Sequence, residues 1–456
     1  MIDDRVADLL AGVGLGLLAG DVSLDGADPV LASPWPVGEA AAAAIGAVGA
    51  VVADIWAEAT GDAPQAVRVP VAGAAAALVS FLLQRVEGPL SIDRASISPV
   101  TNLYECGDGR WIHLHGGFPH LAAGTLAVLG GCDETHDAIA AAVRTWSSAV
   151  ALEDALAGAG MCGAVVRTPA EWAATEQAAV LAPLGRVRLV KLGDGEPRPA
   201  TDRTRPLGGT RVVELVRLLA GPTVGRTLAE HGADGLRISS PSLTDVLPFH
   251  VDTSHGKRSA ALDLDDPAAA DRLRALVRDA DVFVQGYRGG SLERRGFGPE
   301  ELAAGHPGLV YVTVNCYGDV GPWRGRPGWE QMAESATGLC EGQASPPALV
   351  PAAPCDYITG YLGALGAAAA LRRRAIEGGS WLVQVSLCQT GMWLASLGAR
   401  CDPAAATGLG DWPARTATVP THWGSLTHLA PVVEMAATPA RWARVPTPIG
   451  SDEAAW

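Results

Sequence analysis

The chain has 456 residues, 48% of them hydrophobic and 18% charged, so it is too long for one comfortable domain and too apolar for a disordered one. With 34 Lys and Arg against 49 Asp and Glu, its net charge of −15 argues against nucleic acid or an anionic membrane as partner, while leaving room for a local basic rim that meets phosphates. Cys106, Cys132, Cys162, Cys316, Cys340, Cys355, Cys388 and Cys401 form no CxxC pair and no zinc spacing with histidine, so reduced thiols, a cytoplasmic setting and no metal are expected.

The first twenty residues, MIDDRVADLLAGVGLGLLAG, open with two acids and lack the basic stretch of a signal peptide, so they read as an amphipathic helix packed on the body. The apolar run 71–83 stops short of the roughly 18 to 20 charge-free residues of a membrane span and reads as a core helix. Within 31–94, IGAVGAVVADIWAEATGDAPQAVRVPVAGAAAAL from Ile45 parallels LGALGAAAALRRRAIEGGSWLVQVSLCQTGMWL from Leu362. Each is a small-residue helix, a turn with Gly and an alternating strand; shared richness in Ala is the other source of such a likeness. The same register sets Glu39 opposite Asp356.

From Asn102, NLYECGDGRWIHLHGGF reads as a hairpin turning at Gly107-Asp108-Gly109, the start of a small α+β unit spanning 95–188. His113, His115 and His120 lie along a strand and the loop after it, a pattern that does not gather metal ligands. Residues 189–209, rich in Pro, Gly and charge, read as a linker.

Residues 210–397 alternate strands and helices. The apolar run 212–215 is a buried parallel strand, Ala220-Gly221-Pro222 opens a helix through Leu228, and Gly232 closes it before a strand at 235–238. Asp265-Asp266-Pro267 caps a helix toward Val277, with further strands at 282–284 and 309–314. This order predicts an α/β fold, a doubly wound parallel sheet with helices on both faces and ligands outside the carboxyl ends of its strands. After Leu397 the tail shows no clear period and is expected to wrap the surface.

Taken in order, RVVELVRLLAGPTVGRTLAEHGADGLRI, HGKRSAALDL, DADVFVQGYRGGSLERRGFG, GLVYVTVNCYGDVGPWRGRPGWE and PCDYITGYLGALGAAAALRRR resemble the family III CoA-transferases, which include the formyl-CoA and carnitine CoA-transferases and the α-methylacyl-CoA racemases. NLYECGDGRWIHLHGGF and MCGAVVRTPAEWAATEQ are similar to the start and end of that family's small domain. There the small domain follows the nucleotide-binding half; here it comes first, so the domain order reads as permuted, with a short overlap present twice.

The resemblance implies roles by position. Asp356, just before the helix opening DYITGYLGALG, matches the carboxylate nucleophile; from the residues alone it is an N-cap Asp. Glu330 matches an acid that assists catalysis, and from the residues alone it is a helix-start Glu favoured by the dipole. Glu39 reads as a degenerate remnant. Contacts to CoA carry over to Arg217, Ala220, Arg237, Lys257, Arg258, Leu262, Tyr287 and Arg294, with arginines and lysine on phosphates and Tyr287 or Leu262 on adenine. Leu219 is apolar where some transferases are polar, and the mobile glycine run of the formyl-CoA enzyme is missing.

The expected activity is transfer of CoA from an acyl-CoA thioester to a carboxylic acid, with CoA as substrate and no tightly bound cofactor. Two alternatives stand beside it: racemisation at the α-carbon of an acyl-CoA, and a non-catalytic CoA-binding subunit. A homodimer is expected, its site where the small domain meets the sheet, closed either within one chain or between two.

Overall fold

The computed structural model describes all residues except Met1, Leu17, Ala19, 88–89, 91–96, Thr244 and 411–414. The N-terminal helix Asp4–Gly12, capped by Asp3, buries Val6, Leu9 and Leu10. The strand Val22–Asp25 then runs parallel to Val67–Pro70, joined to it by the 24-residue helix α1 (Val37–Thr60). α1 is apolar enough to cross a membrane by length and composition, with mean hydropathy 1.8, yet 94% of that window is buried inside the protein. It is a core helix, as Ala at most positions allows, since burying Ala sacrifices no side-chain freedom.

The hairpin Asn102–Glu105 and Trp111–His115 is present, and Cys162–Val165 adds a third antiparallel strand. Three helices, Pro119–Val128, His136–Arg144 and Ala149–Gly158, cover this sheet around a separate core of Tyr104, Ile112, Leu114, Ile139, Val143, Leu152 and Leu156.

The main sheet has seven strands: β1 (Arg188–Gly193), β2 (Arg211–Leu215), β3 (Asp234–Ser239), β4 (Lys257–Ala261), β5 (Val282–Gln285), β6 (Val310–Asn315) and β7 (Ser380–Ser386). Their order is β4-β3-β2-β5-β6-β7-β1. All neighbours are parallel except β7 and β1. The chain steps from β2 outward to β4 and returns to β5 on the other side of β2, so the topology switches between β2 and β5 and leaves a crevice beyond Leu215 and Gln285. The start of the expected linker, 189–193, is therefore a strand: Lys191 at a sheet edge supplies charge that read as linker and that edges commonly carry.

Four helices matter to that crevice: α2 (Ala220–Glu230), α3 (Glu330–Thr337), α4 (Pro354–Glu377) and α5 (Leu387–Ser396). The α1 and α4 units repeat in three dimensions. Both helices have 24 residues, pack on each other, and lead into a strand and then a helix. The repeat extends to single glycines: a side chain at Gly49 would strike Val67 at 2.6 Å, and one at Gly366 would strike Val383 at 2.4 Å, each on the strand its own helix leads into. The tail wraps the surface as a hairpin, Thr416–Thr421 with Gly424–Leu429, and adds Glu434–Met435 to the N-terminal sheet.

Candidate active site at the strand switch point

A narrow cavity of about 60 Å³ lies at the carboxyl ends of β2, β5 and β6. Arg217, Leu218, Leu219 and Ala220 from the loop after β2 line it, with Gly286, Cys316, Trp329, Leu387 and Asp356. Leu218 adopts φ +61°, a left-handed conformation that carries a steric cost in a leucine and that packing must hold in place. A roomier cavity of about 380 Å³ opens near the other end of the strands; of the three arginines lining it, Arg374 pairs with Asp281, Arg372 with Asp54 and Glu58, and exposed Arg198 donates to the Pro307 carbonyl.

Asp356 is the third residue of α4, because Pro354 takes the first helical position that its fixed φ suits. It therefore does not serve as the N-cap expected from the sequence. Glu330, the first residue of α3 and buried, does that work from outside, accepting the N–H of Cys355 at 2.9 Å and that of Asp356 at 2.5 Å. Asp356 itself is half-buried and, among the described residues, joins no ion pair. Burial and then the neighbouring Glu330 hold its carboxyl well above the usual carboxylate range. The site thus contains an unpaired carboxyl in an apolar cleft, a group whose anion is poorly solvated and correspondingly reactive.

The small unit reaches the same cleft within one chain. The Arg217 guanidinium lies 4.8 Å over the Phe118 ring, and Trp329 packs at 5.7 Å against both Phe118 and His115. Arg167 donates its N–H to Ser335 of α3 at 3.0 Å, and Asp154 pairs with Arg326 at 2.9 Å. His113 and His115 are buried in this unit and held neutral by burial, down to about 3 and about 4.

The structure thus gathers Asp356, Glu330, Arg217 and Ala220 at one crevice. Tyr287, two residues beyond β5, and Leu262, just beyond β4, lie at the same end of the sheet, and Arg294 is exposed on the turn Glu293–Arg295. Three basic residues expected on the rim are used inside the fold instead. Arg237 is fully buried and bound to Asp245 and His250. Lys257 is buried against Glu214 at 2.5 Å and the Pro222 carbonyl at 2.8 Å, and burial lowers it to about 8. Arg258 binds Asp234, the Ala455 carbonyl and the Trp456 ring near the amino ends of the strands. A sequence does not distinguish a cation that finds a buried acid from one that faces solvent.

Sequence reasoning missed Leu218, Trp329, Phe118, Cys316 and Glu334. Glu334 had a signal, since it follows Glu330 by four residues and so shares its helix face. Exposed Arg288 and Arg324, which border a second small cavity with Asn315 and Asp319, had none. Glu39 is the third residue of α1, as Asp356 is of α4, and Asp28 accepts its N–H at 2.8 Å as Glu330 accepts that of Asp356. The difference lies in the carboxylate itself, which Arg5 and Arg400 both bind.

Residues 207–416 match the model of CoA-transferase family III. Two curated relatives extend the match: acetyl-coenzyme A transferase nodX of Hypoxylon pulicicidum is 34% identical over 320 residues, covering 65% of this chain and 54% of that protein. An acyl-CoA transferase of Gibberella moniliformis is 38% identical over 327 residues, covering 65% and 57%. The chain therefore spans just over half the length of these relatives. Among solved structures, a CAIB/BAIF family protein from Brucella suis shares 27% identity over 49% of this chain and 65% of that one, with a TM-score of 0.40.

Proposed function

We propose that this protein is a CoA-transferase that moves CoA from an acyl-CoA thioester to a carboxylic acid, with Asp356 as nucleophile. The observation that carries the reading is the unpaired Asp356 carboxyl in the switch-point crevice, its helix start braced by Glu330.

The Asp356 carboxylate attacks the thioester carbonyl, the C–S bond breaks, and CoA leaves as thiolate from a mixed anhydride. The thiolate attacks the aspartyl carbonyl, the donor acid departs with the C–O electron pair, and an aspartyl-CoA thioester remains. The acceptor carboxylate repeats the exchange in reverse: it displaces thiolate to form a new anhydride, and thiolate then takes the acceptor acyl group and frees Asp356. Each step exchanges one acyl–heteroatom bond for another, so no oxidant or metal is called for. The apolar walls, Leu218, Leu219 and Trp329, strip water from the attacking carboxylate and protect the anhydride from hydrolysis.

The CoA phosphates are assigned to Arg217 at the crevice and to Arg288, Arg294 and Arg324 outside it, and the adenine to Tyr287 and Leu262. CoA comes and goes as substrate. The proposed homodimer pairs two sites, each finished within its own chain; light scattering that finds a stable, active monomer removes the dimer without touching the chemistry.

The decisive experiment is trapping. Enzyme incubated with acyl-CoA and then hydroxylamine is expected to carry a hydroxamate at Asp356, read by mass spectrometry. Solvent deuterium entering the α-position with no acceptor acid present, and no adduct at Asp356, refutes transfer in favour of racemisation.

A further inference from the structure

Gln177 belongs to the small unit, on the helix Glu176–Leu181, and is wholly buried. Its amide reaches across to the loop that follows β6. Nε2 donates to the carbonyls of Tyr317 at 2.7 Å and Val320 at 2.9 Å, and Oε1 accepts the N–H of Trp323 at 2.9 Å. An amide suits this task, since its NH2 carries two donors and its oxygen accepts. The loop is shaped to meet it. Gly318 and Gly321 stand at φ +89° and +82°, where a side chain would be strained. A Cβ at Gly318 would also lie 2.5 Å from Leu181, and one at Gly321 2.5 Å from Gln177 Oε1. Trp323 completes the contact, edge-on to Trp172 of the small unit at 5.4 Å with Arg167 over its ring at 5.2 Å.

The next residue, Arg324, borders the small cavity that Arg288 also borders. The small unit holds that second arginine too, because Arg288 Nη2 donates to the Gly160 carbonyl at 3.3 Å. Asp319 is the one acid among the residues lining the cavity, and its oxygens already accept from Thr313, Asn315 and Gln384 at 2.8 to 2.9 Å. The arginines are left to face an anion.

We infer that Gln177 is a positioning residue for CoA: by clamping loop 317–323 it fixes Arg324 beside the cavity shared with Arg288, so that the small unit sets the phosphate contacts. The inference rests on the assignment of Arg288 and Arg324 to CoA phosphates.

The test compares Gln177→Glu with wild type on two donors carrying the same acyl group, acyl-CoA and acyl-pantetheine, the second of which lacks every phosphate. Glutamate keeps the shape of glutamine and supplies at most one donor where Nε2 supplied two. KM for acyl-CoA should rise about tenfold or more with kcat within about threefold, while kcat/KM for acyl-pantetheine stays within about twofold of wild type. Gly321→Ala, which pushes on the clamp from the loop side, should give the same split and guards against one poorly folded variant. Adding Arg324→Ala to Gln177→Glu should raise KM by less than about twofold more, because clamp and arginine act as one unit. Equal losses on both donors make Gln177 a general structural residue and overturn the inference, as do unchanged acyl-CoA kinetics in both variants. Wild-type KM in Arg288→Ala and Arg324→Ala removes the phosphate assignment and the inference with it, whereas failure of the Gln177 and Gly321 variants alone leaves that assignment standing.

Discussion

Gly360 is where α4 crosses α2, one turn beyond Asp356, and a methyl group placed there measures how closely the nucleophile's position depends on packing. An ideal Cβ at Gly360 would lie 2.5 Å from Thr223 Cβ and 2.7 Å from the Ala220 carbonyl oxygen. Carbon atoms sit at about 3.5 Å or more in comfortable contact, so the overlap is roughly 1 Å, and neither a Cβ stem nor a backbone oxygen can swing aside. Gly→Ala in a helix interior ordinarily gains about 0.5–1 kcal/mol. Overpacking costs about 1–3 kcal/mol, so the clash should win and α4 should move off α2. A displacement near 1 Å at a reacting carboxylate lowers turnover about 10²-fold. Gly360→Ala should therefore lower Tm and lower kcat about a hundredfold, while Gly12→Ala, at a helix end where the new methyl meets nothing within 4 Å, serves as control with kcat unchanged and Tm not lowered. Thermal denaturation and steady-state kinetics on the same preparations decide it. A Gly360→Ala protein with wild-type kcat refutes the claim that this crossing sets the position of Asp356.

Asp356→Asn should reduce transfer about 10⁴-fold or more and abolish the trapped adduct. Because burial and Glu330 raise the folded pKa of Asp356, its ionisation opposes folding: the penalty is nil below the unfolded carboxylate range and grows as pH rises toward the folded pKa. The Asn variant should then melt above wild type at neutral pH and level with it in acid; a gap independent of pH contradicts the assigned burial. Ala at Arg288, Arg294 or Arg324 should raise KM for CoA esters several-fold with kcat less affected, and high salt should shrink the difference. Unchanged KM in all three places CoA elsewhere. Arg237→Ala should instead destabilise the fold by about 3–5 kcal/mol, since it leaves Asp245 buried without its partner. Glu39→Gln weakens the links to Arg5 and Arg400 and should lower Tm with kcat unchanged; a hydroxamate found on Glu39 would reveal a second nucleophile.

The doubly wound sheet was legible in the sequence because its signals are local: the apolar run of β2, the small-residue turn opening α2 and the Asp266 cap are each written within a few residues. Asp356 and Glu330 were legible through the order of motifs around them, as was the match between Glu39 and Asp356, which follows from a constant spacing along the chain. Tertiary structure alone decided which charges are free. Arg237 and Lys257 read like a phosphate rim until Asp245 and Glu214 meet them from other elements, and Glu39 differs from Asp356 in that Arg5 and Arg400, hundreds of residues apart, converge on it. It also made Glu330 the cap of another helix and gave 188–193 an edge of the sheet to join. Secondary structure follows from steric and periodic preferences of neighbouring residues, whereas a charge in a protein takes its meaning from what folding places beside it.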